Sequence, residues 1–415
     1  MGRRAVGTAR DRRSLTTLLG ADLISQTGNK MLHLAIPWFV LQTTGSVAKT
    51  GIAAFFSLLP IVLAGFFGGP LVDRLGLKRT SIVSDLASGV SVAAIPFLHA
   101  TTGLEFWQLL ALVFLGGLLD TPGTTARMSL LPHVAERGHT TIDRAASLHD
   151  AMNRASSLAG PPIAGLLIAS IGAQNVLWVD AASFLVSALL VWTGVRDERV
   201  EVEDADTLPY LQSLREGVTF VLKDRLLMVV ILTVTVTNIL DAIISFVLLP
   251  AYFKQIVESS VGFGLTVGAF GAGALLGALV YGAIGHRFSR RWVFIIAFLM
   301  VSIRAFPYLA VPAVPVLVAW MLISGMGSGP LNPILSAAEL AKTPPHMRGR
   351  VVGAIMAIAW GAMPLGVLAG GYLVEAIDIR PALAVIGTIY VLTTLSLIFN
   401  PGVRDLERIP DTPSH

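Results

Sequence analysis

Asp22, Asp120, Arg154 and Asp241 are ionisable side chains inside long apolar stretches of this 415-residue chain. A charge surrounded by hydrocarbon is costly, so it is either paired or put to use. Counted from the end of each helix that meets a basic loop, Asp22 lies ~12 Å in, Arg154 ~13 Å and Asp120 ~17 Å, at ~1.5 Å per residue. An acid buried beside a base can take up and release a proton, because burial favours the neutral acid and the base favours the carboxylate. Asp22 and Asp120, with Arg154 as partner, read either as a proton switch or as a static salt bridge. Asp241, ~22 Å into its helix, can hold a proton or a cationic ligand, or can pair with Arg304. Asp180 reads as packing. Asp85 and Glu339 lie close enough to helix ends to be solvated. His33, His99 and His149 stand alone as local hydrogen-bonding groups.

The elements that must position these residues are membrane spans. Hydrophobic residues make up 54% of the chain and charged residues 13%, where a soluble domain carries roughly a quarter charged. Twelve helices are predicted, near 15–42, 47–70, 79–100, 106–131, 145–169, 174–195, 226–252, 261–284, 291–311, 314–341, 350–374 and 381–400. The opening half of the first, Gly20 to Lys30, is too polar for lipid and must face protein or a water-filled cavity. Alternate loops divide Lys and Arg 24 to 3, with Lys30, Arg154 and Arg304 inside spans. That bias puts both termini in the cytoplasm. The five arginines before Ser14 have no apolar core beside them, so the N-terminus is not read as a cleavable signal.

The chain is also duplicated. Gly69-Pro-Leu-Val-Asp73-Arg74-Leu-Gly76-Leu-Lys78-Arg79 recurs, degraded, at Gly282 to Arg291, 213 residues on. The same offset lays Pro37 on Pro250, Ser46 on Ser259, Gly51 on Gly264 and Lys78 on Arg291. Parallel repeats of this kind are characteristic of transporters. The segmentation that follows is a basic N-terminus (1–14), a six-helix bundle (15–195), a cytoplasmic linker with an amphipathic helix (196–225), a second bundle (226–400) and a tail (401–415).

Much chemistry is excluded. With no cysteine there is no disulfide or thiol nucleophile. There is no Gly-Lys-Ser/Thr phosphate loop, no His-Glu-x-x-His and no Gly-x-Ser-x-Gly. No metal, no cofactor and no nucleic-acid partner is expected, and the chain is not read as an enzyme.

The loop Gly69, Asp73, Arg74, Gly76, Lys78, Arg79 resembles the signature between helices 2 and 3 of the major facilitator superfamily. Ser25 to Lys30, Thr44-Gly-Ser46, Gly160-Pro161-Pro-Ile-Ala-Gly165, Val179 to Phe184, Leu214-Arg-Glu-Gly217 and Arg348-Gly-Arg350 are similar to the branch holding enterobactin exporters and macrolide efflux pumps. Two departures stand out. Asn29-Lys30 replaces an acid–arginine pair usual after the glycine of helix 1, and His286 stands where the first loop has Asp73.

The resemblance implies an all-α membrane protein of twelve transmembrane helices in two pseudo-symmetric bundles. It implies proton-coupled efflux of an amphipathic small molecule by alternating access, from a monomer in the plasma or inner membrane. The loop would latch one conformation through Asp73 and Arg74. Uptake by the same fold, a membrane-embedded enzyme and a non-transporting sensor are the other readings.

Overall fold

The computed structural model describes the backbone of residues 5–196 and 210–408, and the side chains of 13–63, 75–196 and 212–407. Among these residues there is no strand, and helices follow one another with short connections. The helices are α1 (Ala5–Thr44), α2 (Val47–Leu75), α3 (Leu77–Thr101), α4 (Phe106–Arg137), α5 (Ile142–Ile171), α6 (Ala173–Gly194) and α7 (Tyr210–Lys223). After them come α8 (Arg225–Val257), α9 (Ser260–Arg287), α10 (Arg290–Ala310), α11 (Val314–Lys342), α12 (Pro345–Ile377) and α13 (Ile379–Phe399). Nine of these, α3, α4, α6 and α8 to α13, are long and apolar enough to cross a membrane. With α1, α2 and α5 they make the twelve spans expected, and α7 is the amphipathic helix between the sixth and seventh.

Helix ends differ from expectation in one systematic way. α1 begins ten residues before position 15, and α4 runs to Arg137 rather than 131. Hydropathy marks where apolar surface stops, whereas the hydrogen-bond ladder continues into water until a cap or breaker ends it. The ends that do stop are chemically marked. Glu105 and Gln108 form a capping box at the start of α4, Thr141 Oγ1 accepts from Arg144 N at 3.3 Å, and Asp224 Oδ1 accepts from Leu227 N at 3.0 Å. Proline distorts the later spans: α8 loosens into π-helical turns at Ile244–Leu248 and Phe253–Val257, on either side of Pro250.

The chain gathers into two compact units. One comprises Met1–Gly45, Ile52–Glu203 and Ser259–Gly264; the other comprises Ser46–Gly51, Asp204–Glu258 and Leu265–His415. In the first, α1, α3, α4, α5 and α6 pack closely. An apolar cluster of Leu15, Leu18, Leu19, Leu130, Leu131 and Val134 fills one end of it. In the second, the first turn of α2 lies against α12. Glu375 Oε2 accepts from the backbone N–H of Val47 at 2.7 Å and of Ala48 at 2.9 Å, and Ser46 Oγ donates to Oε1 at 3.2 Å. A carboxylate at the positive end of a helix satisfies amides that have no partner within it.

Each unit ties its second basic loop to its last helix in the same way. Lys78 Nζ donates to the carbonyl of Trp192, near the end of α6, at 3.0 Å. Arg291, 213 residues on, donates from Nη2 to the carbonyl of Ile398, near the end of α13, at 3.1 Å. In both, a cation meets the unsatisfied carbonyls at the negative end of a helix.

Candidate functional site

The buried charges of the first unit converge on Arg127, which the division of Lys and Arg between loops counts among the loop cations. Arg127 lies ten residues inside α4 and is buried. Its guanidinium is tied on every nitrogen. Nη1 donates to Asp85 Oδ1 at 2.7 Å, Nε to Asp22 Oδ1 at 3.3 Å, and Nη2 to Ser25 Oγ at 3.4 Å. Asp120 Oδ1 stands 4.0 Å from Nη2.

Helical spacing builds this cluster. Asp120 and Arg127 are seven residues apart on one face of α4. Asp22, Ser25 and Asn29, at intervals of three and four, share one face of α1. Gly123 lets α3 come close to α4, since a Cβ there would lie 2.7 Å from the Cβ of Ser84. That approach puts Asp85 against the guanidinium.

Outer partners fix the carboxylates. Ser187 Oγ donates to Asp85 Oδ2 at 2.7 Å. Asn29 Nδ2 donates to Asp120 Oδ2 at 3.1 Å, which gives the Asn29 departure a use. His149 Nδ1 lies 3.1 Å from Asp22 Oδ2, so His149 is not the isolated histidine expected. Asp22 and Asp85 are sealed, whereas the Asp120 side chain keeps 18% of its surface exposed.

Three expectations are corrected here. Arg154 is not the base of the cluster: its side chain is half exposed and its Nε bonds Asp150 Oδ2 at 2.8 Å, one helical turn away. Asp85 is not solvated, because α6 covers it through Ser187. Arg127 is not a loop charge, because α4 continues past it. The i, i+7 spacing of Asp120 and Arg127 was the signal available in the sequence.

In the second unit, Asp241 Oδ1 accepts from Arg304 Nη2 at 2.6 Å. Arg304 is buried, and its guanidinium carbon sits 5.0 Å from the centre of the Phe270 ring, a cation–π contact. The Asp241 side chain is 35% exposed. The repeat position in the first unit is Gly28, against which Asp180 and Ser183 of α6 pack. Asp180 therefore acts in close helix packing, as expected.

The Gly160, Pro161 and Gly165 stretch on α5, the fifth-helix motif of the resemblance, is also a packing surface. A Cβ at Gly160 would lie 2.7 Å from the Cβ of Lys30 on α1. A Cβ at Gly165 would lie 3.1 Å from the Cα of Gly264, and Ser260 Oγ donates to the Gly165 carbonyl at 3.0 Å. Pro161 lies buried between these glycines. Of the loop signature, Gly76 starts α3 at φ +77°, a conformation that favours glycine. Lys78 is placed as described above, and Arg79 is exposed. The side chains of Asp73 and Arg74, and the surroundings of Gly69, lie outside the described residues.

Among the described residues no group of His, Asp and Glu is arranged to hold a metal ion.

The sequence pattern of the Major Facilitator Superfamily matches residues 18–257 and 231–413. The multidrug efflux pump Tap of Mycolicibacterium fortuitum is 33% identical over 398 residues, which is 95% of this chain and 97% of that protein. Macrolide efflux protein A of Streptococcus pyogenes is 22% identical, with 94% and 96% covered. Among solved structures, the nucleoside transporter NupG superposes with a TM-score of 0.77 at 12% identity, over 93% of this chain and 98% of that one. A bacterial homologue of the iron transporter ferroportin reaches 0.68 at 17% identity, over 93% and 98%.

Proposed function

The chain belongs to the Major Facilitator Superfamily, and on that premise we propose that it exports an amphipathic small molecule by alternating access, in exchange for protons. Likeness to efflux pumps along nearly the whole chain supports export rather than uptake. An amphipathic cargo fits relatives named for multidrug and macrolide efflux.

The observation that carries the coupling is a ratio. Three carboxylates, Asp22, Asp85 and Asp120, surround one guanidinium, Arg127. When all are ionised the cluster holds two more negative charges than positive ones. A proton on any carboxylate offsets part of this surplus, and in a dry bundle that offset is large. Asp120 is the best-placed carrier, since it alone stands off from the guanidinium and is partly exposed. Asp85 holds Arg127 in place. Asp22, bridged to His149, offers a second position for the proton. Asp241 with Arg304 forms a separate polar point in the other unit and presents an open carboxylate face to cargo. The loop of Gly69, Asp73, Arg74, Gly76, Lys78 and Arg79 serves as the conformational latch. The protein acts as a monomer in the cell membrane with both termini in the cytoplasm.

The test uses proteoliposomes with an imposed pH gradient and a lipophilic dye cargo. Asp120→Asn should abolish gradient-driven accumulation by at least tenfold while downhill exchange continues. Gradient-driven transport at the wild-type rate by Asp120→Asn and by Asp22→Asn would exclude the cluster as the coupling site.

A further inference from the structure

The linker helix α7 and the first turns of α12 enclose a groove of about 800 Å³ that the transport reading does not use. We propose that this groove is a head-group site for an anionic phospholipid.

The groove combines cationic sides with an apolar floor. Arg215 and Lys223 lie on one ridge of α7, eight residues or ~12 Å apart, and both are exposed. Across from them, His346 and Arg350 stand one turn apart at the start of α12. The carboxylate in the lining, Glu216, is already engaged by Arg350 Nη1 at 2.5 Å. No described carboxylate pairs with Arg215 or Lys223, so the groove carries a net positive charge. The floor is apolar: Phe220 and Met347 line it and rest on the buried cluster of Val221, Leu227, Ile231 and Val351. Leu222, on α7, is 55% exposed.

Cations beside an apolar floor match a phosphate joined to acyl chains better than they match a free anion. The placement agrees. α7 joins two spans, so it lies near the membrane surface, where an amphipathic helix buries its apolar face and cationic residues meet anionic lipid. The groove is also held rigidly. A Cβ at Gly217 would lie 2.8 Å from the carbonyl carbon of Arg350 and 2.9 Å from the Cβ of Ala354, so α7 is seated on α12 without room for a side chain.

The experiment measures binding of short-chain phosphatidylglycerol and phosphatidylcholine to the full-length protein purified in a neutral detergent. The comparison variants are Arg215→Gln/Lys223→Gln in the groove and Arg404→Gln outside it. All three altered residues are exposed. Phosphatidylglycerol should bind the wild type preferentially. The double variant should lose roughly thirtyfold of that affinity, at about a factor of five per cation near a membrane surface, with an unchanged melting curve. Arg404→Gln should bind as the wild type does. Retained preference in the double variant, or an equal loss in Arg404→Gln, would overturn the proposal. So would displacement of the lipid by equimolar inorganic phosphate, which marks a free-anion site. Binding that emerges only after the acidic residues 201–206 are neutralised would assign the groove to the chain's own linker instead.

Discussion

Arg127 and Asp85 form a 2.7 Å ion pair between α4 and α3 in which both side chains are sealed from solvent. Asp22 and Asp120 are arranged around the same guanidinium, so its removal strands three carboxylates at once. Breaking a buried pair by deleting one partner typically costs about 3–5 kcal/mol. Arg127→Met should therefore lower the melting temperature of the purified protein far more than Asp120→Asn does. Arg127→Met combined with Asp85→Asn should recover part of the loss. A melting temperature unchanged by Arg127→Met would show that the cluster does not hold the bundle together.

Asp241 and Arg304 give a cleaner pair for a double-mutant cycle. Arg304 is buried with its Nε unpartnered, so Asp241→Asn leaves a guanidinium without its counter-charge. The coupling measured from Asp241→Asn, Arg304→Met and the double variant should fall at the upper end of the usual ~0.5–3 kcal/mol. Zero coupling in thermal unfolding would mean that the contact contributes nothing in the membrane.

Glu375 caps the first turn of α2 through two backbone amides and a serine hydroxyl. Glu375→Ala should cost about 1 kcal/mol, as loss of a helix cap does. Glu375→Gln, which keeps an acceptor but no charge, should cost less. Equal melting curves for the three proteins would remove the cap from the account of stability.

Orientation is open to a direct check. Reporter fusions after Ser14 and after His415 should both score as cytoplasmic, following the excess of Lys and Arg on alternate loops. A periplasmic signal from either fusion would contradict the topology proposed.

The latch is tested through cysteine accessibility, since the chain has no native cysteine to interfere. Asp73→Asn should cut transport severalfold without reducing membrane insertion, and should change labelling of a single introduced cysteine. Unchanged labelling and transport would reduce the loop to a topological signal.

The sequence by itself determined the twelve spans, the amphipathic linker helix and the duplication. Each of these is written in local composition or in a repeat, and a span must be apolar whatever it packs against. The repeat was informative down to single contacts: Lys78 and Arg291 share an offset and a task, each closing the end of its unit's last helix. The pairing of Asp241 with Arg304 was legible as one of two readings, because both are charges inside spans and each needs a partner.

Only the tertiary structure decided which base serves the acids of the first unit. The sequence offered Arg154 by its depth and left Arg127 among the loop cations. Arg127 falls there because it lies near the end of its apolar stretch, although α4 continues past it for ten residues. Which face of a helix looks inward depends on its neighbours. The close approach at Gly123 and the hydroxyl of Ser187 turn Asp85 into a buried anchor, and the outward face of α5 leaves Arg154 to Asp150. A charge inside a span can be found from sequence because its cost is local. Its partner cannot, because the partner is set by how helices far apart in the chain are packed together.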